Sequence, residues 1–505
     1  MGRLNWRRLQ TVAGAVVILA LTAAAASAQF TPNLRAPTMV PMMPIGPRDP
    51  GFHAAPGDIS NIPMGGGSNT GTLYYQKGTS TGTSKKRAAA RQPSSPKILR
   101  QGTTGGGAGG GPSISATGVV PNEVLVELRG DPASLVVDTL LRRYRLALLE
   151  RVAFRLTDST ILRLRISDGR SVAAVVRAVQ VGGAAATVGA NHRYVSAEEA
   201  VAPAPPDAPA RPAEAKPSGG DPAQYALAKL HLLEAQRVAT GDKIPVAIID
   251  SGIDVSHPDL AGAIAGEFDA LGIAEPAHAH GTGVAGVVAA HGRLLGAAPA
   301  ARILAVRALG AAAVGANGTT FNILKGLDWA AGQGARIINL SFTGPSDALL
   351  ARALAALRQK GIILIAAVGN AGPKSPPLYP AADPNVIAVT ATDSADKLLA
   401  QANRGNYIAV AAPGADILVL APGAAYQLSS GTSFAAAYVT GIAALMLERR
   451  PGLDVDTLKK ALQSTAKDLG PKGRDDQFGA GLADAYQAIV AVDPSADASA
   501  RATRP

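Results

Sequence analysis

The sequence predicts an α/β protein with a mainly parallel central sheet, preceded by a small α+β domain. Three observations predict it. From residue 224 to about 490, short apolar strand-like runs alternate with longer helical patterns, as in sheets whose parallel strands are joined by helices. Residues 118–200 read strand, helix, strand, helix, strand within a much shorter span. Between them lies an Ala/Pro-rich segment, 201–225, with the composition of an exposed semi-rigid linker.

In the first domain, Asn122–Leu128 alternates as a strand and Leu135–Leu149 has helical apolar spacing. Ser159–Ile166 alternates again, with Leu162, Leu164 and Ile166 on one face and Arg163 and Arg165 on the other. Arg170–Gln180 reads as a second helix and Ala186–Tyr194 as a last strand. In the second domain the strands expected are Pro245–Ile249, Arg302–Arg307, Arg336–Ser341, Ile362–Val368 and Val386–Thr392. The helices expected are Gly281–Ala290, Asn322–Gln333, Asp347–Lys360, Ser433–Glu448 and Val455–Ser464. Functional groups in such a fold gather at the carboxyl ends of the strands.

The 505 residues allow a large core and more than one domain, and 47% of them are apolar. No cysteine is present, which excludes disulfides, a thiol nucleophile and a Cys-based zinc site. Arg3, Arg7 and Arg8 precede an apolar run, Thr11–Ala26, and Ala26-Ser27-Ala28 has the small-x-small form of a cleavage site. Residues 1–28 therefore read as a secretory signal, so an exported product, periplasmic or extracellular, is expected, with no stable membrane span once the signal is removed. Residues 29–117 are rich in Pro, Gly, Ser and Thr and are expected to be disordered. They hold nine Lys and Arg against Asp49 and Asp58, so most of the formal net charge of +11 sits in a tail. That distribution argues against nucleic acid as a partner. Residues 493–505 read as a short tail.

Three short motifs carry chemistry. Asp250 closes the apolar strand Val246–Ile249 in IPVAIIDSGID. His280 opens a small-residue helix in HGTGVAG, and Ser433 opens another in SGTSFAAAYVTG. An acid, an imidazole and a hydroxyl are the parts that make a weak alcohol attack a carbonyl. A serine at a helix start also offers its own backbone N–H to a developing oxyanion. Asn370, in AAVGNAG after a buried strand, offers a second donor from its amide. His278 and His280 form a His-x-His pair, but no third ligand stands at metal-site spacing and no metal is expected.

With those motifs in place, residues 226–490 resemble the subtilisin-like serine peptidases. The resemblance rests on DSGID with HPDL, HGTGVAG, INLSFTGP, AAVGNAGP, YPAADPNVIAVTATD, AAPG, SGTSFAAAYVTG and a terminal FGAGLADAYQAI, in that order. It implies a subtilisin-like three-layer fold for residues 226–492 and a secreted serine endopeptidase acting on proteins or peptides as a monomer. It assigns Asp250, His280 and Ser433 to a triad and Asn370 to the oxyanion hole. It also implies substrate-binding roles for Leu340, Ser341, Phe342, Thr343, Gly344, Gly369 and Thr432. Residues 118–200 look like an inhibitor-type pro-domain, intramolecular until removed by self-processing. A catalytically silent binding protein on the same scaffold and an esterase with the same triad are the alternatives. The sequence departs from the family at Gly283, where a second His is common, at Phe434 for Met, at Ala437 for Pro, at Tyr438 for His and at Thr343 for Gly. Asp259 matches a calcium-ligating position, but the loop His291–Leu295 is too short to supply the partners, so calcium is not expected.

Overall fold

The computed structural model describes residues 118–183, 185–197, 220–312 and 315–497. The expectations for a signal segment, for the stretch up to 117, for most of the linker and for the end of the tail lie outside the described residues.

The N-terminal layer consists of β1 (Val119–Arg129), α1 (Ser134–Tyr144), β2 (Leu146–Phe154), β3 (Ser159–Ile166), α2 (Val172–Val181) and β4 (Thr187–Ser196). Its strands run antiparallel in the order β2-β3-β1-β4. The expected helix over Leu135–Leu149 is corrected here. It stops at Tyr144 because Arg145 adopts the left-handed conformation, φ 51°, and Leu146–Phe154 turns back as a strand. The run Leu146-Ala147-Leu148-Leu149 is apolar at both helical and strand spacing, so periodicity alone could not separate the two.

Val124, Val126, Leu162 and Leu164 pack under α1 and α2 with Val137, Leu140, Val175 and Val179. Leu125 and Ile161 face the opposite way and pack with residues of the C-terminal part. Both faces of this sheet are therefore covered, which is why Val124-Leu125-Val126 is continuously apolar.

The C-terminal part continues with α3 (Tyr225–Lys229), α4 (Leu232–Ala235), β5 (Pro245–Asp250), β6 (Ile264–Asp269), α5 (Ala279–Ala289), β7 (Arg302–Arg307), β8 (Leu309–Ala311) and β9 (Ala316–Thr319). Then follow α6 (Thr320–Gly332), β10 (Ile337–Leu340), β11 (Phe342–Thr343), α7 (Ala348–Gln359), β12 (Ile363–Ala367) and β13 (Ile387–Thr392). The chain ends through β14 (Ile408–Pro413), β15 (Ile417–Ala421), β16 (Ala425–Ser429), α8 (Thr432–Arg449), α9 (Val455–Ser464) and α10 (Ala485–Val492). Seven strands form a wholly parallel sheet in the order β14-β13-β12-β10-β5-β7-β6.

Alternation along β5 assigns the layers. Val246 and Ile248 pack with α5, α8 and α10, whereas Ala247 and Ile249 pack with α6 and α7. Every residue of α8 from Thr432 to Leu447 is buried, and α5 is buried from His280 onward. Helices apolar all round belong inside a large core, and their small residues let them approach closely. A Cβ at Gly441 of α8 would lie 2.3 Å from that of Ala297.

The two parts share one sheet. β4 pairs with β1 on one side, and its end pairs with β9 and with β11, both antiparallel. Polar contacts flank this junction. Arg352 Nε lies 2.9 Å from Glu127, Lys325 Nζ 3.0 Å from Glu150, and Leu156 N donates to Asp328 at 2.8 Å. Burial raises the Asp328 carboxyl above its ordinary range. For Glu127 burial pushes the same way, but hydrogen bonds from Thr157 and Ser159 and the charge of Arg352 outweigh it and hold its pKa below 4.5.

A depressed pKa stabilises the fold above the unfolded-state value and loses that contribution as pH falls through the folded-state value. Thermal unfolding of the full chain should therefore show Glu127→Gln costing about 1–3 kcal/mol at neutral pH. The difference from wild type should shrink on acidification below pH 4.5.

Candidate active site

Asp250 is the last residue of β5 and is 1% exposed. A buried carboxylate must be met by donors, and the chain supplies them locally. Asp250 Oδ1 accepts from Ser251 N at 2.6 Å and from His280 Nδ1 at 2.6 Å. Ser251 Oγ, 3.1 Å from the same oxygen, accepts from Gly281 N at 3.0 Å and so ties the strand end to the start of α5.

His278 is the N-cap of α5, with its Nδ1 accepting from His280 N at 3.2 Å. With Nδ1–H of His280 committed to Asp250, Nε2 is the acceptor, and it lies 2.9 Å from Ser433 Oγ. All three side chains are essentially withdrawn from solvent.

Ser433 sits in the first turn of α8, whose N-cap is Gly431 with no side-chain cap. The first N–H groups of this helix are consequently free for other partners. Thr432 N donates to Asn370 Oδ1 at 3.2 Å, and Thr432 Oγ1 accepts from Gly369 N at 3.1 Å. With its oxygen held by Thr432, the Asn370 amide turns its Nδ2 the other way.

The point on which these groups converge is occupied by the chain itself. β4 runs into the site, and Ala197 N donates to Ser341 O at 3.0 Å. The carbonyl oxygen of Ala197 accepts from Asn370 Nδ2 at 2.9 Å and from Ser433 N at 3.3 Å. Ser433 Oγ lies 2.6 Å from it. A hydroxyl with a base behind it thus faces a carbonyl whose oxygen already has two N–H donors. That is the arrangement for nucleophilic attack with stabilisation of the resulting oxyanion.

The sequence profile of the subtilase family matches residues 241–481. Thermitase of Thermoactinomyces vulgaris is 35% identical over 274 residues, spanning 53% of this chain and 95% of thermitase. Subtilisin Savinase of Lederbergia lenta is 35% identical over 261 residues, 50% of this chain and 93% of that protein. The chain belongs to the subtilase family. The crystal structure of fervidolysin from Fervidobacterium pennivorans, described as a keratinolytic enzyme related to subtilisin, superimposes with a TM-score of 0.60 at 24% identity. That match covers 74% of this chain and 61% of fervidolysin and supports the fold.

As a subtilase the chain is a serine endopeptidase with an Asp/His/Ser triad, and neither a silent scaffold nor an esterase is favoured. The subtilase fold brings Asp250, His280, Ser433, Asn370 and Thr432 together around Ala197. Phe342 and Thr343 pair with Ser196 and Val195, and Ser341 contributes its carbonyl. Gly344 pairs instead with Tyr379 across the other edge of its strand. Gly369 has φ 101° and holds the loop that carries Asn370.

Leu340 is corrected. It lies inside the parallel sheet, paired with Ile249 and Ala366, and the backbone bond to the extended segment comes instead from its neighbour Ser341. His278 serves as a cap beside Ser251, and among the described residues no group of three or more His, Cys, Asp or Glu is placed to hold a metal ion. Sequence reasoning gave Ser251 only a turn and did not single out Ala197. Neither position has a distinctive residue type, and their roles arise from contacts 30 and 236 residues away.

Removing one oxyanion donor from a subtilisin costs about 100- to 1000-fold in kcat. Asn370→Ala should show a loss of that size in kcat with little change in KM, measured on a chromogenic peptide.

Proposed function

We propose that the chain is the precursor of an exported peptidase, that residues up to Ala197 act as its pro-domain, and that it cuts its own Ala197–Glu198 bond. The observation that carries this reading is the Ala197 carbonyl lying against Ser433 Oγ, Ser433 N and Asn370 Nδ2. In the proposed step His280 Nε2 takes the Ser433 proton as Oγ bonds to the Ala197 carbonyl carbon. Asp250 holds the ring and stabilises the imidazolium, while Asn370 Nδ2 and Ser433 N meet the oxyanion. The imidazolium returns its proton to the Glu198 nitrogen as the peptide bond breaks, and water then hydrolyses the ester on Ser433.

The sheet shared by β1, β4, β9 and β11 supports an inhibitory role for the N-terminal layer. A product strand hydrogen-bonded on both edges leaves slowly, and while it stays no other peptide can enter. The N-terminal sequence supports export. Among the described residues no helix is long and apolar enough to cross a membrane.

We also propose that stability does not depend on calcium at Asp259. Its carboxylate accepts from Leu294 N at 2.8 Å and from the Tyr426 hydroxyl at 3.1 Å. Arg293 stacks over the Tyr426 ring at 4.6 Å, and Gln224 bonds Leu295 through both ends of its amide at 3.0 Å. Leu294 N and the Tyr426 hydroxyl turn hydrogens toward the carboxylate and so take the oxygens a cation would use.

Intact-mass and N-terminal analysis should find wild type beginning at Glu198 and Ser433→Ala uncut. Equal processing of the two would assign the cut to another protease. Chelation by EDTA should leave the melting temperature unchanged, whereas Tyr426→Phe should destabilise by about 1 kcal/mol. A fall in melting temperature with EDTA would overturn the calcium proposal.

A further inference from the structure

The loop that carries Asn370 leaves β12 through Gly369, whose φ of 101° is open to glycine and strained for other residues. Local preference does not fix such a loop, yet a donor aimed at a developing oxyanion has to be held in place before the reaction. Thr432 meets one side of the loop, at Gly369 N and at the Asn370 amide oxygen. The other side is met by Asn403, which is fully buried.

Asn403 straddles Asn370. Its backbone N donates to Gly369 O at 3.0 Å, on the residue before. Its side-chain Oδ1 accepts from Ala371 N at 2.9 Å, on the residue after. Gln401 O, two residues earlier, accepts from Gly372 N at 2.8 Å and extends the pairing. A Cβ at Gly369 would lie 3.0 Å from Asn403 Nδ2, so the two segments are in contact. An amide suits this place by length and by polarity. Leucine would leave Ala371 N without its acceptor, and aspartate would set a negative charge near the developing oxyanion. The segment is itself anchored, because Gly405 N donates to Asp476 O at 2.8 Å and Arg474 Nη2 to Ile408 O at 2.7 Å.

Resting on the assignment of Asn370 to the oxyanion hole, we infer that Asn403 is a positioning residue of the peptidase. By holding Gly369 and Ala371 it fixes the backbone of Asn370 and so aims Asn370 Nδ2 at the oxyanion. Its hydrogen bonds go to this loop and to Ser375 Oγ at 3.4 Å, not to the triad or to Ala197. Its contribution therefore passes through Asn370 and vanishes when Asn370 has no amide to aim.

The test is a double-mutant cycle on the mature enzyme. kcat and KM are measured on a chromogenic peptide, with active sites counted by a fluorophosphonate. Asn403→Ala should lower kcat about five- to tenfold with KM little changed. In an Asn370→Ala background the same substitution should change kcat by less than about twofold. Equal factors in the two backgrounds would overturn the positioning role, because a residue acting through another group does not sense whether Asn370 is present. A lower melting temperature with kcat per active site unchanged would also overturn it. An Asn370→Ala enzyme as fast as wild type would overturn the oxyanion assignment on which the inference rests. If Asn403→Ala does not fold, Asn403→Ser, which keeps a hydroxyl on the same Cβ, carries the cycle with the same pattern expected.

Discussion

The site depends on how the uncapped start of α8 meets the ends of the parallel strands. The other long helices of the catalytic part are closed by a side chain, as Thr319, Asp347, Asp454 and Asp484 close theirs. α8 begins instead at Gly431, and its first N–H groups go to Asn370 and to Ala197. A stability device is forgone so that donors remain for a carbonyl. The rest of the constellation braces this choice. Gly431 N donates to Gly414 O at 2.7 Å, and the Ser341 hydroxyl donates to Ser433 O at 3.2 Å, pinning the helix start to two strand ends. Burial of α8 on all sides then makes its position a property of the whole core.

How much of this was legible in the sequence follows from range. Asp250, His280, Ser433 and Asn370 each sit in a local pattern, a strand end or a helix start, that a short window contains. Five of the seven parallel strands were legible for the same reason, since runs such as Arg302–Arg307 and Ile387–Thr392 are short, largely buried and bounded by turns, whereas β6 and β14 were not singled out. β2 was not, because Leu146–Leu149 satisfies two periods and only the left-handed Arg145 decides between them. Nor was Leu340 separable from Ser341. The boundary between a strand locked in the sheet and one that faces a ligand lies between them, set by pairing with β5 and β12 rather than by residue type.

The departures from the family pattern form connected sets. A Cβ at Gly283 would lie 3.1 Å from Val419 and 3.3 Å from Phe434. The larger side chain after the nucleophile thus fills the space that a side chain at 283 would need, and Phe434 packs beside the His280 ring, 6.0 Å away. Thr343 follows similar logic. Its methyl would stand 3.0 Å from a Cβ at Gly369, so it packs against the loop that carries Asn370. At Asp259 a short loop, an aromatic hydroxyl and a backbone N–H surround a carboxylate that would otherwise need another partner. Gly283, Phe434 and Thr343 are thus explained by their neighbours and not by their own residue types.

The same hydrogen bonds give the N-terminal layer two opposed effects. Before the proposed cut they hold Ala197 where Ser433 can reach it, which makes the bond a good substrate. After the cut they are all still available, because β4 keeps its pairing with β9, β11 and β1. Cleavage removes only the covalent continuation beyond Ala197. On the proposed reading, what then governs activity is how firmly the layer is held on the catalytic part. Its sheet is covered on one face by its own α1 and α2 and on the other by the catalytic part, so leaving the site costs it only the second of these faces. If the layer is the proposed inhibitor, its dissociation, its unfolding or a further cut within it would release these contacts together, and the fastest of the three would set the rate at which the peptidase becomes active.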